Sequence, residues 1–208
     1  MRIGIFGGTF NPVHLGHTAL ASYICNLGLV DEVWLMVSPQ NPFKRDHQLL
    51  DEAIRLRLAT LAVRDFPRLR ASDFEFHLPR PSYTYVTLQE LSRAYPDDTF
   101  SLIIGADNWD KFSGWRNADD ILAHYPLIVY PRETVSGERG AVSDGHMPTL
   151  PSLTGGVGGG SPIFLSSAPL YPISSTAIRT AIAAGDDVSP WLDPAVLDEI
   201  RRLRLYAH

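Results

Sequence analysis

The chain has 208 residues, of which 45% are apolar, enough for one domain with a sizeable core. Its formal net charge of −5 argues against nucleic-acid or anionic-membrane binding over a broad surface, so any phosphate recognition must be local. The single cysteine, Cys25, excludes an intrachain disulfide and a cysteine-rich metal site. No apolar run approaches the ~20 residues of a membrane span. Because the chain opens on a core strand, we expect no signal peptide, a cytoplasmic location, and neither a membrane nor a nucleic-acid partner.

The first strand and the turn that follows it suggest a phosphate-binding unit. Residues 3 to 6 form an apolar run typical of a short buried strand, which breaks at Gly7 and Gly8. A helix is predicted over residues 15 to 27, and its apolar stripe ends at Leu27. The unpaired N–H groups and the dipole of a helix N-terminus favour an anion there. His14 and His17, three residues apart, lie on one face of that first turn.

Strands and helices then alternate along the chain. A helix over residues 51 to 64 has Ile54, Leu58 and Leu61 on its apolar face, and residues 68 to 76 alternate loosely, as in a strand. The remaining predicted elements are strands at 33 to 37, 100 to 104, 127 to 130 and 163 to 165 and a helix near 84 to 94.

Residues 134 to 162 are rich in Gly, Ser, Pro and Thr and have no apolar period. We expect a flexible insertion within a single domain that spans residues 1 to 208. Its glycine cluster at 155 to 160 follows no predicted strand, precedes no helix and has no closing Lys-Ser/Thr. A linker is therefore preferred to a phosphate loop.

The C-terminal part contains two predicted helices. Ser174 is a suitable N-cap for the first, and Gly185 is placed to end it. The second covers about residues 194 to 204. Alternation of strands and helices along the whole chain predicts an α/β fold, a doubly wound, Rossmann-like parallel sheet with helices on both faces. In such sheets ligands bind at the carboxyl ends of the strands, near the switch point.

Common nucleotide and hydrolase motifs do not fit. The chain lacks GxGxxG after the first strand, a Walker A lysine and a GxSxG elbow. Zinc at His14 and His17 would need a third ligand that no nearby residue supplies. Taken alone, the two histidines are as compatible with an ordinary helix start as with a phosphate-binding site.

Two longer signatures carry a resemblance. Residues 7 to 17 read GGTFNPVHLGH and closely resemble the GGTF(D/N)PxHxGH signature of the nucleotidyltransferase superfamily, whose HxGH is akin to the HIGH motif of class I aminoacyl-tRNA synthetases. Residues 173 to 179 read ISSTAIR and match the second superfamily signature, ISSTxxR, in the expected order. A chance match to both is very improbable.

Within that superfamily the chain most resembles the bacterial nicotinate-nucleotide adenylyltransferases. Residues 41 to 44 (NPFK) are similar to their NPxK loop, and GADN at 105 to 108 with Trp115 is similar to their GAD…W block. Residues 82 to 88 (SYTYVTL) are similar to their SYTxDTL, except that Val86 stands where the family usually has Asp. The resemblance covers nearly the whole chain outside residues 134 to 162.

The resemblance implies an ATP-dependent enzyme of NAD biosynthesis. The phosphate of nicotinate mononucleotide attacks the α-phosphorus of ATP in line and gives deamido-NAD and pyrophosphate. Since the nucleophile is already an anion, the enzyme has to position two anions and stabilise the charge on the leaving group. Mg²⁺ is the implied cofactor, held mainly by the ATP phosphates and water.

The resemblance also implies residue roles. His14, His17, Lys44 and Arg179 would contact the phosphates as the catalytic set. The implied ATP-binding residues are Gly7, Gly8, Thr9, Phe10, Gly105, Asp107, Ile173, Ser174, Ser175 and Thr176. The nicotinate-nucleotide candidates are Asn41, Tyr83, Thr84 and Trp115, with the Trp115 ring as a stacking surface for the cationic pyridinium. Arg132, just after a predicted strand, is a further candidate for the same ligand.

Other functions remain open at this point. Pantetheine-phosphate adenylyltransferases share the two signatures but are usually shorter and lack the SYTxDTL and GAD…W blocks. A catalytically silent nucleotide-binding regulator would not need His14, His17 and Arg179 intact. The oligomeric state does not follow from the sequence.

Overall fold

The structure is a computed structural model that describes residues 1–39, 49–131, 161–168 and 171–207. Its centre is a parallel sheet in the order β3-β2-β1-β4-β5-β6. The strands are β1 (Arg2–Gly8), β2 (Glu32–Val37), β3 (Leu69–Ser72), β4 (Thr99–Gly105), β5 (Leu127–Tyr130) and β6 (Ile163–Phe164). This confirms the predicted doubly wound sheet.

Helices cover both faces of the sheet. They are α1 (Leu15–Asn26), α2 (Glu52–Val63), α3 (Thr84–Ala94), α4 (Ala106–Trp109), α5 (Ala118–His124), α6 (Ser175–Ala184) and α7 (Pro194–Leu203), with 3₁₀ turns at Phe74–His77, Phe112–Gly114 and Ser189–Trp191. One apolar cluster joins α1, α2, α6 and α7 to the sheet, and a second joins α3 and α5 to the opposite face. The described part of the chain contains no helix long and apolar enough to cross a membrane.

The order of the strands creates a switch point beside β1. From β1 the chain goes outward through β2 to β3 and then returns to β4 on the other side of β1. In register, Ile5 of β1 lies opposite Trp34 of β2 and Leu102 of β4. The connections leaving β1 and β4 therefore diverge to opposite faces, which opens a crevice at their carboxyl ends.

Several predicted boundaries need correction. The strand predicted over 68 to 76 ends at Ser72, and a 3₁₀ turn follows. Leu27, predicted to face the core, is 46% exposed because α1 ends at Asn26. The buried face of α2 carries Arg55 and Leu58, with Ile54 and Leu61 only partly buried. The proposed insertion at 134 to 162 lies outside the described residues except for its last two positions.

A charged contact fixes the C-terminal helix to α2. The carboxylate of Glu199 on α7 accepts from Arg202 at 2.8 Å and pairs with Arg57 of α2 at 2.5 Å. The bond with Arg202, the larger effect, together with the Arg57 charge lowers the pKa of Glu199 to about 2. The chain end is thereby held against the helix that follows β2.

Candidate nucleotide-binding cleft

A cleft of about 780 Å³ lies at the carboxyl edge of the sheet, where the switch point predicts a ligand site. It brings together residues from the β1–α1 turn, the start of α3, the end of β4 and the start of α6. Of the residues implied by the family resemblance, those lining it are Gly7, Gly8, Thr9, Phe10, His17, Tyr83, Thr84, Gly105, Asp107, Trp115, Ser174, Ser175, Thr176 and Arg179.

The remaining implied residues fall elsewhere. His14 is buried and does not line the cleft, and Ile173 packs against the apolar cluster on the α1 side. Asn41, Lys44 and Arg132 lie outside the described residues, so their predicted roles stay predictions.

The two histidines are stacked at the start of α1. Their ring centroids are 3.6 Å apart, and the backbone N–H of His14 donates to Nδ1 of His17 at 3.1 Å. Because Nδ1 of His17 is an acceptor here, its neutral ring carries the proton on Nε2. His17 can therefore present an N–H donor to a ligand in the cleft, while His14 supports its ring.

Gly16 between the histidines leaves room for this stack. A Cβ atom at Gly16 would lie 3.0 Å from Nδ1 of His14 and 3.0 Å from Cβ of Tyr171. Any side chain there would push the His14 ring away from its position. The glycine of the HxGH pattern is thus favoured by close packing rather than by backbone conformation.

The start of α6 is tied directly to the β1–α1 turn. Ser174 caps α6 by accepting from the backbone N–H of Ala177 at 3.1 Å. The hydroxyl of Ser175 donates to the carbonyl of Pro12 at 2.8 Å, and Nη1 of Arg179 donates to the carbonyl of Asn11 at 2.8 Å. The two sequence signatures, more than 150 residues apart, form one continuous wall of the cleft.

Asn11 is buried beneath that wall and is contacted by two other segments of the chain. Its side-chain oxygen accepts the hydroxyl of Tyr206 at 2.8 Å and the backbone N–H of Leu50 at 3.4 Å. Burial holds the pKa of the Tyr206 hydroxyl above its ordinary range, so the tyrosine remains a donor. Sequence analysis did not identify the role of Tyr206, because a single tyrosine near a chain end carries no local pattern.

Arg55 is a fully buried cation that connects two loops at the edge of the cleft. Its Nη1 donates to the carbonyls of Thr9 and Ser38 at 2.7 and 2.8 Å, and its Nη2 donates to Pro39 at 2.9 Å. Burial lowers the pKa of the guanidinium. Arg55 thereby holds the backbone directly after β1 against the backbone directly after β2. Its place on the buried face of α2, in an apolar stripe with Leu58, was the signal that sequence analysis overlooked.

Glu75 is a buried carboxyl group in the part of the cleft formed by the start of α3. The hydroxyl of Thr87 donates to it at 2.9 Å, and that of Ser82 at 3.4 Å. Burial raises the pKa of Glu75, although these hydrogen bonds oppose the shift. Sequence analysis missed Glu75, since an acid between two phenylalanines suggests only a strand or a turn.

Tyr83, Trp115 and Arg116 line the same part of the cleft. The Trp115 ring lies 5.3 Å from that of Phe112, which is buried in the core. The guanidinium carbon of Arg116 lies 4.9 Å from the centre of the Tyr83 ring. Cation–π contact of this kind holds an exposed arginine in a preferred position.

The described residues contain no group of three or more His, Cys, Asp or Glu side chains arranged to hold a metal ion. Hydrogen-bond donors and two helix N-termini dominate the wall between α1 and α6. Such an arrangement is suited to binding a polyphosphate and stabilising charge that develops on it.

Comparison with known proteins agrees with this chemistry. The cytidylyltransferase-like family model matches residues 5–181. The chain is 44% identical to a probable nicotinate-nucleotide adenylyltransferase of Bacteroides fragilis, covering 96% of this chain and 90% of that protein. It is 38% identical to one of Flavobacterium johnsoniae, covering 99% of both. In fold it is similar to the nicotinic acid mononucleotide adenylyltransferase of Plasmodium falciparum complexed with NaAD, with 19% identity, a TM-score of 0.71 and coverage of 99% and 97%.

Proposed function

The chain belongs to the cytidylyltransferase-like family and, within it, to the nicotinate-nucleotide adenylyltransferases, and from this premise we propose how its cleft performs the reaction. The enzyme transfers the adenylyl group of ATP to nicotinate mononucleotide, giving deamido-NAD and pyrophosphate in NAD biosynthesis. The single observation that supports our assignment of the site is the contact of Ser175 and Arg179 with the β1–α1 turn, which places both signatures around one cleft.

We assign the α1–α6 wall to the triphosphate. Backbone N–H groups at Gly8 and Thr9, the hydroxyls of Ser174 and Thr176, and the N-terminal dipoles of α1 and α6 favour negative charge there. Nε2–H of His17 is the donor assigned to the α-phosphoryl group as it passes from pyrophosphate to the acceptor. Arg179 binds the leaving pyrophosphate while its Nη1 stays on Asn11, so the cation is positioned before ATP arrives.

His14 acts through His17. Since His14 is buried and stacked on the other ring, we assign it the task of orienting His17, in place of the direct phosphate contact that the resemblance implies. Lys44 remains a predicted phosphate contact from the loop after β2. Gly105, the last residue of β4, and Asp107, in the first turn of α4, are assigned to the adenosine side.

Mg²⁺ would reach this cleft with ATP. The described residues offer the ion no carboxylate cage, and hard divalent cations commonly bind nucleotide phosphates and water. When bound, the ion would neutralise part of the charge on the nucleotide phosphates. We assign the orientation of the α-phosphoryl group to His17 and to the N-termini of α1 and α6.

The acceptor occupies the α3–α5 part of the cleft. Trp115 offers an aromatic face to the cationic pyridinium, and Tyr83 and Thr84 lie at the start of α3 beside it. The phosphate of the mononucleotide then points toward the α1–α6 wall, where the triphosphate is bound. A cytoplasmic location and the absence of nucleic-acid and membrane partners stay predictions.

Pyrophosphate release tests the function directly. The enzyme is assayed with ATP and Mg²⁺ and, in turn, nicotinate mononucleotide, nicotinamide mononucleotide and phosphopantetheine. We expect the highest kcat/KM with nicotinate mononucleotide. Preference for phosphopantetheine would identify the related pantetheine-phosphate enzyme, and no turnover with any acceptor would identify a silent nucleotide-binding protein; either result would contradict the proposal.

A further inference from the structure

Arg55 is a fully buried cation whose hydrogen bonds with the described residues all go to uncharged carbonyl groups. Its Nη1 donates to Thr9 and Ser38, its Nη2 to Pro39 and its Nε to Leu50, at 2.7 to 2.9 Å. The cleft is lined by Thr9 but not by Arg55. The β1–α1 turn therefore separates the guanidinium from the cleft.

The charge of Arg55 is not balanced by an acid. No carboxylate of the residues that the structure describes forms an ion pair with it, whereas Arg2, Arg57 and Arg80 each contact an acid within 2.6 Å. Burial of an unpaired charge is unusual, because removing the charge from water is costly. An arginine nevertheless stays protonated in proteins. A positive charge therefore remains directly behind the turn.

The contacts behind the turn also set the direction of two peptide groups. The carbonyl of Gly8 accepts from the backbone N–H of Ser38 at 2.9 Å, and the carbonyl of Thr9 accepts from Arg55 at 2.7 Å. Both peptide bonds are trans, so the N–H groups of Thr9 and Phe10 point away from these donors. Within the described part of the chain, neither N–H donates to a protein acceptor. Thr9 and Phe10 both line the cleft.

Two backbone donors without a protein acceptor, with a cation behind them, suit a polyphosphate better than an uncharged group. We propose that Arg55 is a positioning residue for ATP: it holds the β1–α1 turn with its N–H groups directed at the triphosphate, and its charge favours the bound anion. Arg55 acts through the turn and contacts neither substrate. The inference rests on the proposed function, since it takes the triphosphate to lie on the α1–α6 wall.

The test separates the charge of Arg55 from its contacts and from its packing. Arg55→Met removes both the charge and the hydrogen bonds, and Arg55→Lys keeps the charge on a single nitrogen that cannot serve all four carbonyls. Leu58→Ala is the control, because Leu58 is fully buried on the same helix and does not line the cleft. ATP affinity is measured by calorimetry without acceptor, and steady-state rates give kcat and both KM values. Circular dichroism and urea unfolding establish that each variant is folded.

We expect Arg55→Met to weaken ATP binding about 10-fold or more, since a full charge is lost near a polyphosphate at an effective dielectric constant of about 20. The KM for nicotinate mononucleotide should change much less than the KM for ATP. Arg55→Lys should recover part of the ATP affinity, because the charge is kept. Leu58→Ala should lower the midpoint of urea unfolding and leave ATP affinity unchanged.

Unchanged ATP affinity in Arg55→Met would overturn the inference. Equal losses for ATP and the acceptor, or an equal loss of ATP affinity in Leu58→Ala, would also overturn it, because either would show general damage to the cleft. If Arg55→Met does not fold, Arg55→Lys decides the question: weaker ATP binding supports the inference, and wild-type affinity contradicts it. A wild-type protein that binds ATP but does not use nicotinate mononucleotide would overturn the proposed function alone, since ATP binding is measured without acceptor.

Discussion

At the scale of single residues, contacts with neighbouring protein groups fix the orientation of the side chains that line the cleft. Nδ1 of His17 accepts from the backbone N–H of His14, which places the ring proton on Nε2. Arg179 donates to Asn11, and Arg116 lies on Tyr83. Groups fixed in this way need little reorganisation when charge moves on the phosphates, and that is why such preorganised donors accelerate a reaction.

Replacing His17 by Ala tests this view at the α-phosphoryl group. We expect kcat to fall on the order of 10²-fold, as when other transition-state donors are removed, with a smaller change in ATP affinity. Steady-state rates and ATP binding by calorimetry separate the two quantities. His124→Ala, on the exposed end of α5, is the control. Weaker ATP binding with unchanged kcat would make His17 a binding contact only.

At the scale of elements, helix N-termini surround the cleft and short connections set their positions. The 3₁₀ turn at Phe74–His77 is joined to α3 through Glu75, which accepts from Thr87 on the helix and from Ser82 in the connecting loop. This contact positions the start of α3, where Tyr83 and Thr84 line the cleft. A buried carboxyl group thus supports the part of the cleft that we assign to the acceptor, and it is assigned no chemical step.

Burial raises the pKa of Glu75, and this gives stability a definite dependence on pH. Above pH 4.5, its ordinary value, the folded protein binds more protons at this site than the unfolded chain, so the unfolding free energy decreases as pH rises. Glu75→Gln removes the ionisation. We expect it to stabilise the protein relative to wild type more at pH 8 than at pH 5, measured by urea unfolding. An equal difference at both pH values would show that Glu75 does not titrate in this range.

At the scale of the whole molecule, the C-terminal segment contacts the β1–α1 turn. The C-terminal segment returns after α7 so that Tyr206 reaches Asn11, 195 residues away in sequence. The ion pairs of Glu199 hold α7 on α2, whose Arg55 fixes the turns after β1 and β2. The β1–α1 turn is therefore supported by elements from both halves of the fold.

Tyr206→Phe removes one hydrogen bond of this network. We expect a loss of about 1 kcal/mol in unfolding free energy, since the Asn11 oxygen loses its 2.8 Å bond from the tyrosine hydroxyl and keeps the longer bond from Leu50. Urea unfolding measures the change. Tyr171→Phe, at an exposed tyrosine, serves as the comparison and should be close to neutral. Equal effects of the two substitutions would mean that the hydroxyl of Tyr206 contributes nothing to stability.

The sequence by itself determined the alternation of strands and helices, the parallel sheet, and the two signatures that meet at the cleft. These depend on local patterns: apolar periodicity, glycine turns, the Ser174 cap and contiguous motif residues. Only the tertiary structure decided that His14 lies buried behind His17 and that Arg55, Glu75, Arg116 and Tyr206 serve the cleft. Their partners are distant in the chain, and a contact between distant residues is fixed by packing, which no local pattern records.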